Sequence, residues 1–524
     1  MLLILIFVAA AGLPWTQVDG LLKLMNAVLG QEVFPSAKYC LRKLRVLQQS
    51  KRVEVRTYGP TCHFLTPSCG IEHQRCGICE KLLTLAQLLK KGNFFITTDL
   101  KQQLLHLVKH TGELVGKNLE QLASLTHQGL YRDITDGALY RKCHSENKMT
   151  WSDLTVTVNS DGSPVFRSSK GSLWPIQVSL NELPIRHRWK NILVAAVWFA
   201  KEHHPAHLYL KTFVETFNAN GTLTRTFGGQ IVQSTVIVLC CCVDSPARAA
   251  LLNAKQYNGY YGCLWCIQRG KLVDGRVKYT FGGPDMVGRS HSTVISAMTI
   301  AAARGRPVDG IKGPSACAKL RSLDLVWGFP PDYLHCVLEG VVAQLMDLWL
   351  CSTGQRWYIG NRLKELDEQI VKIRPPISFT RLPRPLSERS FWKATEWKYW
   401  LLYYGVPTLQ NLLPERYLTH FSLLSQSVFM LLKTTLQGCE IILAERLLKQ
   451  FVEEVTTLYG KNHLTFNVHQ PFHLAKSVRM TGPLWVTSTF PFEGGNGEIL
   501  KLVSAAKGVS QQIAERYSMR EVLK

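Results

Sequence analysis

Acidic residues are scarce in this chain. Asp and Glu number 38 against 61 Lys and Arg, leaving a formal net charge of +23 over 524 residues. So one-sided a balance favours a polyanionic partner, either nucleic acid or an anionic membrane surface. Long apolar runs are missing as well. None reaches the roughly 18 residues that a membrane span requires, so no membrane partner is expected. Internal repeats and low-complexity tracts are also absent, which argues against a solenoid and against a disordered chain. What remains is a globular composition, 46% apolar and 19% charged. The length suits roughly three domains with a large buried core.

A disulfide scaffold is not indicated either. The 15 cysteines are odd in number, and four fall in two Cys-x-x-Cys pairs, Cys76/Cys79 and Cys263/Cys266. That is metal-site spacing, and it fits a reducing compartment. Cys240, Cys241 and Cys242 lie inside an apolar run and read as core. Residues 1–13, MLLILIFVAAAGL, imitate a signal peptide but lack a positive flank. A buried helix at a clipped N-terminus is the expectation.

Along the chain, residues 1–55 read as helical, with a basic patch of Lys38, Arg42, Lys43, Arg45, Lys51, Arg52 and Arg56. Residues 56–90 carry Cys62, Cys69, Cys76 and Cys79. These form either a zinc-ribbon-like segment with an irregular first knuckle or a reduced cysteine cluster. Residues 91–150 read as a helical linker region, because KQQLLHLVKH has helical apolar spacing. At 151 the pattern changes. WSDLTVTVNSDG alternates like a strand and ends in an Asp-Gly turn. LWPIQVSL, 173–180, is a second extended stretch, and 207–219 suits a helix. The apolar run 236–243 ends at Asp244, after which Ser245 is expected to cap a helix with Pro246 in its first turn. A buried strand running into a helix indicates an α/β core over 151–258. Residues 259–475 combine a Gly-rich loop region with several helices. Residues 476–524 close the core, with a helix expected from 494 toward 516.

Two constellations carry chemistry. Asp161 and Asp244 each follow a predicted strand, the edge at which open α/β sheets bind ligands. Taken singly, an aspartate after a strand is more often a turn or cap residue than a metal ligand. Cys263-x-x-Cys266 and His469-x-x-x-His473 together supply the ligand set of a tetrahedral zinc ion. The intervening stretch, 267–468, is far too long for a finger, so a metal would clasp it at its base. The alternative is a surface cysteine pair and two unrelated histidines.

The blocks NSDG, ELPIRHRW, CCVDSPARAALLNAKQYNGYYGCLWC, VDGIKGPSACAKL, FPPDYLHCVLEG and NVHQPFHLAKSVRMTGPLWVTSTFPFEGGNGEILK resemble transposases of the CACTA (EnSpm-like) group, in the DDE superfamily. The likeness spans roughly residues 15–520. The catalytic subunit of the antigen-receptor recombinase has a similar plan. The resemblance implies an α/β fold: an RNase H-like core interrupted by a large, mainly helical, zinc-binding insertion. It implies Asp161, Asp244 and Glu493 as catalytic acids holding two Mg²⁺ or Mn²⁺ ions, and a structural Zn²⁺ on Cys263, Cys266, His469 and His473. Double-stranded DNA would be the partner, a homo-oligomer on DNA the working form, and the nucleus the location. Asp332 and His335 match a block typical of the group, either as a structural pair or as a phosphate contact. In such transposases a longer N-terminal region, often with a module for the terminal repeats, precedes these helices, so either a truncated copy or an incomplete gene model is expected.

Overall fold

The computed structural model describes residues 2–40, 53–65, 73–75, 78–124, 129–146, 148–165, 171–200, 206–227, 229–279, 286–505 and 508–523. The chain is mixed α/β, with a mainly antiparallel sheet and many helices. It divides into two compact units. One comprises 1–116, 158–236 and 491–524, the other 117–157 and 237–490.

The main sheet is built from seven strands and one short addition. In chain order they are β1 (Val53–Thr57), β2 (Phe94–Thr98), β3 (Leu154–Ser160), β4 (Ser172–Leu180), β5 (Leu193–Ala200), β6 (Thr222–Phe227) and β7 (Gln230–Cys241). Their order across the sheet is β1-β2-β5-β4-β3-β7-β6, and Ser163–Pro164 pairs with β4. The β1–β2, β2–β5, β5–β4 and β6–β7 pairs are antiparallel. The alternation in LTVTVNS suggests a strand with one wet face, yet every residue of β3 is buried. Its threonines tolerate this because a hydroxyl can be satisfied inside the sheet, as Thr157 Oγ1 is, 3.3 Å from Cys240 Sγ. Cys240, Cys241 and Cys242 are buried, as their apolar setting predicts.

Within the first unit, Phe94, Ile96, Leu173, Val194 and Val197 of the sheet pack with Ile499, Leu502, Val509, Ile513 and Tyr517. Two expectations of secondary structure change here, and one stretch that the sequence leaves open between strand and helix is settled. The FFITT segment of the expected helical linker is β2, whose β-branched and aromatic run outweighs the helical pattern that begins after it. RHRWKNILVAAVWFA resolves into a one-turn helix, Ile185–Arg188, followed by β5. The C-terminal helix is two helices, Phe490–Leu500 and Val509–Leu523, with residues 501–505 after the first non-helical.

The second unit is helical around a large core that includes Trp349, Trp400, Phe421, Leu424, Phe451 and Val455. The Glu415–Leu431 and Gly438–Tyr459 helices supply much of it. Truncating one such tryptophan to alanine typically costs about 3–5 kcal/mol. The Gly-rich stretch 268–314 contains a helix, His291–Arg304, started by a reciprocal Ser290–Thr293 cap. One helical run, Leu334–Cys351, is long and apolar enough to cross a membrane by length and composition, and 67% of it is buried. Most of its apolar residues belong to the core of this unit.

Candidate metal centre and acidic positions

Cys263 and Cys266 sit in the loop after the Ser245–Leu251 helix, with Cys266 bridged to Gly288. His469 ends the Phe466–His469 helical turn, and His473 ends the Gln470–His473 turn that continues it. Continuous helical winding puts the two histidines one above the other, as a His-x-x-x-His pair requires. All four side chains are buried, and their ligand atoms lie within 4.8 Å of one another. Cys263 Sγ is 3.4 Å from His473 Nε2, and Cys266 Sγ is 3.4 Å from His469 Nε2. The two Nε2 atoms are 3.2 Å apart. A tetrahedral zinc with bonds of about 2.3 Å to sulfur and about 2.0–2.1 Å to nitrogen sets S···N near 3.5 Å and N···N near 3.3 Å. The donor set and its spacing therefore fit zinc. These residues could hold one ion, which would supply folding energy rather than chemistry, because all four positions are protein ligands.

The surroundings hold the donors in place. Arg289 Nε donates to the carbonyls of Cys263 (3.0 Å) and Cys266 (3.1 Å), and its Nη2 to that of Asp309 (2.6 Å). Tyr279 Oη accepts from the Gly262 amide at 2.8 Å and donates to the Gly259 carbonyl at 2.6 Å. Its ring lies 5.4 Å from that of His469. Trp265, between the two cysteines, stands 5.3 Å from the His473 ring and donates to the Phe329 carbonyl. Burial raises the Cys263 thiol, but its hydrogen bond with Cys266 and the positive charge of His473 and His469 override this and hold it well below its ordinary value. Cys266 is raised in turn, first by that bond and then by burial.

Arg248 connects this centre to the VDSPAR block. Its guanidinium lies 4.3 Å over the Trp265 ring and donates to the carbonyls of Val243 and Pro330, each at 3.1 Å. It is fully buried, and burial pushes it down to about 10, against the raising effect of Asp244. Arg248 lies in the VDSPAR block, but its residue type and spacing there assign it no role. Arg289 has no sequence signal at all.

The acidic positions fall as follows. Asp244 lies three residues beyond the end of β7 and is half-buried. It, and not Ser245, is the N-cap of the Ser245–Leu251 helix, since its Oδ1 accepts from the Ala247 amide at 2.7 Å. The correction has a simple cause: the aspartate already has extended backbone, and its carboxylate reaches the third amide. Asp161 follows β3 and is also half-buried. A Cβ on its neighbour Gly162 would lie 2.5 Å from the Trp174 ring, so the Asp-Gly turn needs its glycine for space. Glu493 is in the first turn of the Phe490–Leu500 helix. This helix is fixed in the first unit by Asn496, whose Nδ2 donates to Ser163 Oγ at 2.9 Å. Gln177 of β4 donates to Asn496 Oδ1 at 2.8 Å and to the Phe492 carbonyl at 3.0 Å. Gly495 leaves room for Gln177, which a Cβ there would strike at 2.0 Å. Asp161 and Glu493 thus stand on pieces of chain joined through Asn496, a residue that spacing did not single out.

Asp332 is buried and binds His335 Nδ1 at 2.6 Å through Oδ2. It also accepts from the Thr489 amide (3.2 Å) and hydroxyl (2.9 Å). The pair is therefore a hydrogen-bonded unit that fixes the chain just before the Phe490–Leu500 helix. Of the earlier cysteine cluster, Cys62 and Cys79 are half-buried with sulfurs 3.7 Å apart, too far for a disulfide. Cys69, Cys76 and the basic residues Arg42, Lys43, Arg45, Lys51 and Arg52 lie outside the described residues.

A scan against protein-family models finds no match, and a search of curated proteins finds none either.

Proposed function

We propose that the chain is a DDE-type DNA transposase core: an RNase H-like domain that cleaves DNA at transposon ends and transfers the strand with the help of two Mg²⁺ or Mn²⁺ ions. The observation that carries this reading is the Cys263, Cys266, His469 and His473 cluster. Those four residues are the ligand set that the resemblance implies, and they meet across an intervening 267–468 stretch in which spacing alone gives no reason for contact. The same resemblance assigns Asp161, Asp244 and Glu493, and each stands at a strand end or in the first turn of a helix. Two divalent ions about 3.5–4 Å apart would bind the attacking and leaving oxygens, and three carboxylates would hold them while offsetting their charge. The net charge of +23 suits double-stranded DNA, and a homo-oligomer on that DNA in the nucleus completes the proposal.

One observation favours a second reading, a non-catalytic transposase-derived DNA-binding or interaction protein. Asp244 already spends one oxygen on a helix cap, a sufficient structural reason for an aspartate. Plasmid nicking separates the two. D161N, D244N and E493Q should each abolish Mg²⁺- or Mn²⁺-dependent cleavage while DNA affinity stays within about threefold, because phosphate contacts and metal chemistry are separate terms. Equal nicking by wild type and all three variants, or none by wild type, would favour the second reading.

A further inference from the structure

Between residues 371 and 387 the chain carries Lys372, Arg374, Arg381 and Arg384 and no acidic residue. It has no regular helix or strand over 373–385, and it is braced by Pro375, Pro376, Pro383 and Pro385. Each proline fixes one backbone angle, so the loop is stiff without a hydrogen-bonded ladder. Its roots are anchored within the helical unit. Ile373 and Phe379 pack on the core, and the Phe379 ring lies 4.2 Å from that of Tyr399. Tyr399 Oη accepts from the Thr380 amide at 3.2 Å. Arg384 pairs with Glu396 at 2.5 and 2.9 Å. The Phe379 amide closes a turn on the Pro376 carbonyl at 2.9 Å, and Ile377 lies inside that turn. Ile377 is 104% exposed, and Leu382 and Phe391 are 72% and 71% exposed.

A wholly exposed isoleucine on a rigid turn, flanked by cations, is the arrangement of a wedge that enters a base step while its neighbours grip phosphates. We propose that the 371–387 loop is a DNA-deforming element: Ile377 inserts between base pairs, with Lys372, Arg374 and Arg381 on the backbone. A second copy of this chain is the poorer occupant, because a two-fold contact would bring the same cations face to face. The proposal rests on the DNA reading above but not on the acidic triad.

The test uses the full chain and duplexes of about 30 base pairs with 2-aminopurine at a central TA step, the kind of step that kinks most easily. Wild type should raise 2-aminopurine fluorescence severalfold and bring end-labelled dyes closer. I377A should lose both signals while duplex affinity falls less than about tenfold, since the electrostatic term is untouched. R374A/R381A should lower the slope of log affinity against log salt by about 2, roughly one unit per phosphate contact. Unchanged fluorescence and bending in I377A would overturn the proposal. So would an I377A-dependent loss of self-association, or of binding to anionic phospholipid vesicles, with the duplex signals intact. Mg²⁺-dependent nicking by wild type in the same preparation keeps the transposase reading standing if the wedge fails. Fluorescence loss in I377A without any nicking separates the opposite case.

Discussion

The chain places cysteine pairs in two very different settings. Cys263 and Cys266 are enclosed, face two histidines, and have both backbone carbonyls held by one buried arginine. Cys62 and Cys79 are half-buried, with sulfurs 3.7 Å apart. In sequence, both the Cys263/Cys266 pair and the Cys62, Cys69, Cys76 and Cys79 cluster are metal candidates. Among the described residues, Cys263 and Cys266 are distinguished by the two histidines that face them and by the neighbours that fix them. Residues bound to a metal's ligands commonly change its affinity ten- to a hundredfold. Arg289, Tyr279 and the Arg248–Trp265 stack supply such support to the first pair.

The largest expected effect follows from that difference. Cys263→Ser should remove a zinc equivalent and destabilise the helical unit by more than about 3 kcal/mol, because metal binding at a closed four-ligand site contributes folding energy directly. Chemical denaturation with a metal assay on the same sample would measure it. A variant that lost zinc with an unchanged midpoint would reduce the cluster to an incidental chelator.

An intermediate effect separates a buried metal site from a buried polar group that needs none. Burial raises the Asp332 carboxyl, but hydrogen bonds from His335 and Thr489, with the His335 charge, hold it below its ordinary value. A carboxyl depressed on folding adds stability above its unfolded value and loses it as pH falls through the folded one. Asp332→Asn should cost about 1.5–3 kcal/mol near neutral pH, the range for hydrogen bonds to a charged group. The gap between wild type and variant should persist to about pH 5 and shrink as pH falls through and below the ordinary value of 3.8. Urea titrations across that range would show it, and a pH-independent gap would mean that the carboxylate's charge contributes nothing.

How far the sequence carried these contrasts depended on the kind of information needed. β3, β4 and β7 were legible because β-branched and apolar runs end in turn residues. The candidate metal ligands were legible because a metal site's chemistry fixes residue type and spacing. β2 was not, because FFITT is short and directly precedes a long amphipathic helix. Capping by Asp244 was missed because Ser and Asp are both good caps and only the backbone geometry chooses between them. Asn496 and Arg289 could not be found, since their roles depend on partners distant in sequence: Ser163 and Gln177 for one, the carbonyls of Cys263 and Cys266 for the other.

The smallest effect belongs to the other cysteine pair. A half-buried thiol keeps contact with water, so replacing it removes little apolar area and strands no buried polar group. Its sulfur spacing is also close to the roughly 3.8 Å that two thiolates adopt on one zinc, so a metal there is compatible with the geometry. An ion at this position would be far easier to reach than one held by Cys263 and Cys266. A chelator in mild excess should therefore strip it first and leave the buried equivalent in place. With that ion removed, Cys79→Ser should shift the unfolding free energy by less than about 1 kcal/mol, the scale of a surface substitution or one lost weak hydrogen bond. In native protein a thiol reagent should label Cys62 and Cys79 well before Cys263 and Cys266, because attack needs an accessible thiolate. Equal labelling rates for the two pairs, or a Cys79→Ser loss as large as that of Cys263→Ser, would erase the contrast and make both pairs structural centres of the same kind.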